Sequence, residues 1–318
     1  MTAAERKARV RALAKVNLDL RVVGRRPDGY HELRTVYQTI SLGDELELSY
    51  RPDGPDRLVV ESQPVIEGNL VARAAELLME RTGLRGEVHI RLQKNIPMGA
   101  GLGGGSSDAA AVLLALPALA GVRLETETLL DLAAQLGSDV PFFLWGGRAL
   151  GIGRGSEVYP LPETRQAWAL LVVSPLQVST REAYADLGSA LTGQSGERII
   201  NSFQSWLWSQ ILGAGSIPET GSNDFESVVF RRHPALARTK DELRALGARC
   251  ALMTGSGSAI LGLFATRQRA ERALGRFGDR AIKVSLVSRA RYQSWWRCWL
   301  RPHIVAGRHW PPQSRYQK

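Results

Sequence analysis

The segment NIPMGAGLGGGSSDAAAVLLAL, residues 95–116, constrains this chain more than any other. Five glycines, at positions 99, 101, 103, 104 and 105, stand just before a run that is mostly alanine and leucine. Glycine accepts φ > 0 and lets a ligand come close to the main chain. Alanine and leucine favour helix. The first turn of a helix over residues 106–116 would leave N–H groups unpartnered, pointing back into the bare backbone. That arrangement is a phosphate cradle. A plain turn needs only one or two glycines, and each costs conformational entropy, so the density argues for a ligand. Other phosphate loops fit less well. GxxxxGK[ST] fails because no Lys follows the glycines. GxGxxG matches at Gly99, Gly101 and Gly104, but QKNIP, with Pro97, separates it from the strand that motif must follow directly. The protein-kinase loop opens no helix, and no HRD or DFG follows.

With 318 residues, 44% of them hydrophobic, the chain can build one large or two ordinary domains. No run of 18 apolar residues suggests a membrane span, and MTAAERKARV lacks the apolar stretch of a secretory signal. Cys250 and Cys298 make no disulfide framework and no metal site, which fits a reducing cytoplasm. The net charge of +10 is unevenly placed: residues 285–318 carry seven Lys or Arg and no acid, leaving +3 for the rest. Trp295, Trp296, Trp299 and Trp310 also lie there. The body therefore needs no nucleic acid to explain its charge, though a mild positive field favours phosphorylated ligands.

Residues 10–20, VRALAKVNLDL, alternate as a strand. Val10, Ala12, Val16, Leu18 and Leu20 share one face and Lys15, Asn17 and Asp19 the other. Pro27, Asp28 and Gly29 form a turn, after which ELRTVYQTISL and DELELSY resume strand patterns. Residues 69–81 read as a helix capped by Asn69, and EVHIRLQK as a strand. Beyond the glycine loop, TETLLDLAAQLG is a helix closed by Gly137, and SDVPFFLWGGRALGIGRG a loop that becomes a strand. YPLPETRQ, near residue 160, marks a boundary. Then come the strand AWALLVVSP, helices over STREAYADL and SGERIINSFQSWLWSQIL, and the loop GAGSIPETGSNDF. HPALARTKDELRALG is a helix, ARCALMTGSGSAILGLFA a strand–loop–strand, TRQRAERALGRF a helix and RAIKVSLVSRA the last strand. This order has no regular βαβ rhythm and predicts an α+β architecture. The expected division is a first lobe over 1–160, a second over 161–291, and a basic Trp-rich tail over 292–318. The tail is compatible with a disordered end, a membrane-surface contact or a packing arm, and reads as dispensable for catalysis because the motifs end before it.

Three segments carry the functional signal: Lys15 with Asn17, residues 97–108, and TGSGSA at 254–259. With RRPDGYHELRTVYQTI, GSDVPFFLWGG and SNDFE they resemble, over residues 10–289, the GHMP kinases, the family of galactokinase, homoserine kinase and mevalonate kinase. RPDGYHEL and GSDVPFF most resemble the branch of the family in the non-mevalonate isoprenoid pathway, and that resemblance implies phosphorylation of the 2-hydroxyl of a diphosphocytidyl-methylerythritol. The resemblance implies two α+β lobes with the active site in the cleft between them. It implies ATP phosphates over Pro97, Gly99, Gly101, Leu102, Gly103, Gly104, Gly105, Ser106 and Ser107, with Asn69 on the adenosine side. Lys15 and Asp139 become the catalytic pair, with Asn17 orienting the hydroxyl or Lys15. Tyr30 stacks on cytosine and His31 bonds its polar edge. Tyr184 closes the other face near Thr180, and Gly255, Ser256 and Gly257 border the substrate. The resemblance also implies Mg2+. Many relatives read GLGSSA, and Gly105 stands where their magnesium-binding serine falls. That leaves Ser106, Ser107, or phosphates and water alone as ligands.

The residues support these roles independently. An alcohol is a poor nucleophile, and a carboxylate within hydrogen-bond reach helps it; Asp139 otherwise reads as a turn cap before Pro141. An ammonium beside that carboxylate keeps it ionised and stabilises charge on the transferring group; Lys15 otherwise reads as a solvated strand residue. Two alternatives remain: a sugar or homoserine kinase, against which RPDGYHEL argues, and a nucleotide- or RNA-binding protein that has kept the fold. The latter is the poorer fit, since both catalytic residues are present. A small-molecule partner is expected, with no nucleic acid and no transmembrane segment, and a homo-oligomer is compatible with the sequence.

Overall fold

The computed structural model describes residues 4–163, 167–176, 178–190, 196–213, 221–307 and 309–316. The elements of the first half are β1 (Arg6–Arg25), β2 (His31–Arg51), β3 (Arg57–Gln63), α1 (Leu70–Thr82), β4 (Glu87–Gln93), α2 (Gly104–Ala120), α3 (Thr126–Leu136), α4 (Val140–Trp145), β5 (Arg148–Gly153) and β6 (Glu157–Pro160). Those of the second are β7 (Trp168–Val172), α5 (Thr180–Ala190), α6 (Gly196–Leu212), α7 (Glu226–Arg232), α8 (Pro234–Ala245), β8 (Cys250–Met253), β9 (Ile260–Phe264), α9 (Arg267–Phe277), β10 (Ala281–Ser285) and α10 (Arg289–Trp299).

Two sheets organise the chain. β1 and β2 form one long antiparallel hairpin from Arg6↔Tyr50 to Arg25↔His31. β4 pairs with residues 45–51 of β2 and β5 with residues 33–38, while β3 and β6 flank these two. The second sheet has the order β10–β7–β9–β8 and is antiparallel throughout. Bridges between Leu20 and Asn223 and between Ile40 and Leu286 join the two halves. Strand β1 supplies all three cores. Val10, Ala12 and Leu13 join α1–α4 in the first. Ala14, Val16 and Leu18 meet Leu171, Leu252 and Leu261 of the second sheet. Leu20 and Val22 reach the helices of the second half. A strand buried on both faces explains why its polar residues, Lys15, Asn17 and Asp19, are at most 4% exposed.

Most of the α+β pattern appears where the sequence puts it, with several differences. Helix α2 starts at Gly104, two residues early, with Gly103 (φ 69°) at its N-cap position. It runs to Ala120 with Pro117 tolerated in its last turn. Residues 140–145, expected as loop, are helical, with Pro141 in the first turn, where its missing N–H costs nothing. Helix α7 was not foreseen. The last strand stops at Ser285, and α10 follows. Residues 164–166, in the expected boundary, and 214–220, in the expected loop, lie outside the described residues.

The tail packs onto the first half of the chain. Tyr292, Trp296 and Leu300 are buried in the first core, where α10 packs against β1 and α4. His303 Nε2 is 2.7 Å from the Lys7 carbonyl, and Ser314 Oγ donates to the Ala118 carbonyl at 2.7 Å. Of the four tail tryptophans, Trp296 is buried in this core, and Trp295, Trp299 and Trp310 are partly buried against it.

Candidate active site

The glycine loop is shaped by what it must pass. A Cβ at Gly101 would lie 2.1 Å from the Thr254 carbonyl oxygen, so this loop and the 254–259 loop touch backbone to backbone. A Cβ at Gly103 would meet the Phe143 ring at 2.9 Å and Lys15 Cγ at 3.1 Å. The first bond of α2 runs from Ser107 N–H to the Gly103 carbonyl. The amides of Gly104, Gly105 and Ser106 therefore have no acceptor within the helix, and the helix dipole adds positive potential there. Leu70, at the start of α1, lies beside Gly105, 3.6 Å from where its Cβ would be. The N-termini of two helices thus adjoin.

Lys15 and Asp139 meet at the floor of a cleft of about 730 Å³. Lys15 Nζ is 3.3 Å from Asp139 Oδ2 and donates to Asn17 Oδ1 at 2.9 Å. Tyr37 donates its hydroxyl to Asp139 Oδ1 at 3.0 Å. Burial, and then Asp139, raise the Tyr37 pKa well above its usual value, so it remains a donor. Asp139 occupies the N-cap position of α4, yet its carboxylate makes no capping bond. An Asp cap bond is typically worth about 0.5–2 kcal/mol; here the carboxylate faces Lys15 and Tyr37 instead. Asn17 is fully engaged: Oδ1 also accepts from Gly255 N–H at 2.9 Å, and Nδ2 donates to Thr35 Oγ1 at 2.7 Å. It fixes Lys15 to the second loop.

The far end of the cleft is aromatic. His31 stacks on Tyr184 with centroids 4.7 Å apart, and Phe225 meets the Tyr184 edge at 4.7 Å. The Arg154 guanidinium lies 3.4 Å over the Tyr30 ring. Burial, then Arg25, lowers the His31 pKa, favouring the neutral ring; burial, then Asp139, raises that of Tyr184. Thr180 Oγ1 is 2.8 Å from Ser256 Oγ, tying α5 to the second loop.

The cleft brings together Lys15, Asn17, Tyr30, His31, Gly101, Gly103, Ser106, Asp139, Thr180, Tyr184, Gly255 and Ser256. Other expected residues lie outside its lining. Asn69 caps α1, accepting from Val71 N–H at 3.0 Å. Pro97 and Gly99 stand in the approach to the loop, and Gly104 and Gly105 open α2. Leu102 is buried in the core while its carbonyl accepts from Lys15 N–H at 3.0 Å. Ser107 donates to the Leu13 carbonyl at 2.7 Å, whereas Ser106 Oγ lies 3.9 Å from where a Gly137 Cβ would be, beside the Asp139 turn. Gly257 packs near Met253 and Val178. Asp19 does not share the face of Lys15. The register shifts between Asn17 and Asp19, turning its carboxylate to Arg21 (3.0 Å) and the Ser222 N–H (2.8 Å). Sequence reasoning missed Tyr37, Thr254 and Arg154. Thr254 heads a motif already singled out; Tyr37 and Arg154 carry no local signal.

Two α+β lobes closing on a glycine loop at a helix N-terminus, with a lysine–carboxylate pair facing it, define a small-molecule kinase. The GHMP kinases N terminal domain matches residues 69–147, and the GHMP kinases C terminal region matches residues 213–283. A 4-diphosphocytidyl-2-C-methyl-D-erythritol kinase of Solibacter usitatus is 50% identical over 316 residues, 98% of each chain. A crystal structure of 4-(cytidine 5'-diphospho)-2C-methyl-D-erythritol kinase superposes with TM-score 0.72 at 40% identity, covering 89% of this chain and 99% of that one. Homoserine kinase from Cytophaga hutchinsonii shares the fold at TM-score 0.67 and 20% identity, covering 91% and 97%. The chain belongs to the GHMP kinase family. Among the described residues, no helix is long and apolar enough to cross a membrane.

Proposed function

We infer that this enzyme transfers the γ-phosphoryl group of ATP to the 2-hydroxyl of 4-diphosphocytidyl-2-C-methyl-D-erythritol, in the non-mevalonate route to isoprenoid precursors. The 50% identity with the Solibacter enzyme over nearly all of both chains supports the substrate. The observation that carries the chemistry is the Lys15–Asp139 pair, 3.3 Å apart between the glycine loop and the aromatic pocket.

Asp139 takes the proton of the attacking hydroxyl. The hydroxyl oxygen bonds to the γ-phosphorus as the bond to the β–γ bridging oxygen breaks, and ADP leaves. Lys15 holds the Asp139 carboxylate in place and offsets negative charge on the transferring group. Asn17 and Tyr37 fix the orientation of both. The amides of Gly104, Gly105 and Ser106 bind phosphate oxygens. Such transfer relies on positioning and charge stabilisation and needs no phosphoenzyme. Tyr184 and His31 hold the cytosine, with Tyr30 on its exposed side, and Thr180 and Ser256 border the substrate.

Mg2+, when bound, screens the triphosphate charge. It is commonly held by one or two carboxylates together with phosphates and waters. The Ser106 hydroxyl and the Asp139 carboxylate, both lining the cleft, are hard oxygen donors and fit such an ion. Among the described residues no group of three His, Cys, Asp or Glu makes an all-protein cage, consistent with a metal carried mainly by the nucleotide. The substrates of the reaction support a cytoplasmic setting.

The test is ADP release with a panel of alcohols: the cytidyl compound, mevalonate, homoserine and galactose. Turnover confined to the cytidyl compound is expected. Equal or better turnover of another alcohol would overturn the assignment.

A further inference from the structure

Helix α4 has six residues, too few to be stable alone. It carries Asp139 at its N-terminal end. The carbonyls of its last turn have no partners within the helix. Phe142 accepts from Gly146 N–H at 3.0 Å. The next two acceptors are satisfied by the C-terminal extension: Tyr292 donates its hydroxyl to the Phe143 carbonyl, and Trp310 Nε1 donates to the Leu144 carbonyl at 2.9 Å. The Tyr292 ring also covers the helix end, since a Cβ at Gly146 would come within 2.4 Å of it. Tyr292 and Trp310 themselves meet edge to face, with centroids 6.3 Å apart.

The other side of α4 presses on the site. Phe142 packs against Tyr37, the partner of Asp139, at 4.9 Å, and Phe143 underlies Gly103. A shift of α4 along its axis would therefore move Asp139 relative to Lys15, and the seat of Tyr37 and the glycine loop with it.

We propose that Tyr292 and Trp310 are positioning residues for phosphoryl transfer: the C-terminal extension caps α4 and so sets the distance between Asp139 and the acceptor hydroxyl. This rests on the reading of Asp139 as the general base. Neither residue touches the cleft. The extension acts through the carbonyls it satisfies, and a misplacement of about 1 Å from a remote change can cost as much as 10²-fold in rate.

The experiment compares Tyr292→Phe, Trp310→Phe and Asp139→Asn in the full chain, singly and combined. Readouts are kcat, both KM values and the thermal midpoint. Tyr292→Phe removes one oxygen and keeps the ring. It should lower kcat about tenfold, with both KM values within about twofold, at temperatures where the protein is folded. Trp310→Phe should act in the same direction and serves if Tyr292→Phe folds poorly. In an Asp139→Asn background either change should lower kcat much less, because the groups act largely as a unit. Tyr316→Phe removes another hydroxyl of the extension, one bonded to His303 and not to α4, and should leave kcat unchanged. A wild-type kcat in both Tyr292→Phe and Trp310→Phe overturns the proposal. So does an equal loss with and without Asp139, which marks a general structural effect. Near-normal turnover of Asp139→Asn alone overturns the base reading instead, so the two failures are distinguishable.

Discussion

Asp139 is held from two sides: Lys15 Nζ stands 3.3 Å from one oxygen, and the Tyr37 hydroxyl donates to the other at 3.0 Å. Asp139→Asn keeps the shape and removes the proposed base. It should lower kcat by about 10²–10⁴, the usual worth of general acid–base catalysis, with ATP still bound. Lys15→Met should also lower kcat, and the double variant should cost less than the product of the two losses. Steady-state kinetics with a nucleotide-binding assay checks this. A trapped phospho-aspartate would rule out direct transfer.

The aromatic pocket is asymmetric. Tyr184 is packed between His31 and Phe225, while Tyr30 is 51% exposed beneath Arg154. Stacking on a base is worth roughly 1–3 kcal/mol. Tyr30→Ala should weaken binding of the cytidyl substrate within that range, and Tyr184→Ala should cost more because it also unseats His31. The KM for ATP should not move in either. Titration calorimetry measures both. If methylerythritol phosphate without its cytidine were phosphorylated equally well, the pocket would have no such role.

What the sequence disclosed and what it hid divide along range. The glycine loop, its helix and the alternation of β1 are local patterns, legible from a few neighbouring residues. Lys15 and Asn17 were placed on one face correctly because no irregularity separates them. Asp19 was misplaced because the register shift after Asn17 depends on pairing with Val36 and Tyr37 of β2, which no local alternation reveals. Tyr37 lies 102 positions from Asp139, and Tyr292 lies 149 from Phe143. Contacts of that span leave no periodic trace. Helix α4 escaped notice because its six residues, Val140–Trp145, are too few to show a helical period.

The buried Asp19 gives the protein a pH signature. Burial raises its pKa to about 6, against the opposing pull of Arg21 and the Ser222 N–H. In an unfolded chain the same group titrates near pH ~3.9. Between these values the folded state binds more proton than the unfolded state, so stability falls as pH rises. The contribution is complete below about pH 4 and lost as pH rises through about 6. Asp19→Asn cannot titrate, so its urea midpoint should fall less steeply than wild type across that window. Parallel curves for the two proteins would show that Asp19 is not responsible.

The C-terminal extension should prove indispensable for folding. Tyr292, Trp296 and Leu300 are each at most 2% exposed in the first core. Further along, His303 is tied to Lys7 and Ser314 to Ala118, and the Arg6 guanidinium lies 3.8 Å over the Tyr316 ring. The extension thus binds the start of β1 to the end of α2, two elements that shape the floor of the cleft. Truncating one buried aromatic residue to alanine typically costs about 3–5 kcal/mol. Whole-domain stability is only about 5–15 kcal/mol. Ending the chain after Arg291 removes two such aromatics and a leucine together, and it exposes the apolar core surface, including that of α4, that they cover. The truncated protein should aggregate or lack a cooperative thermal transition. Calorimetry of the purified or refolded fragment decides. A sharp transition near the wild-type midpoint, with full specific activity, would mean that α2 and α4 close their own core and that the extension is only an overlay.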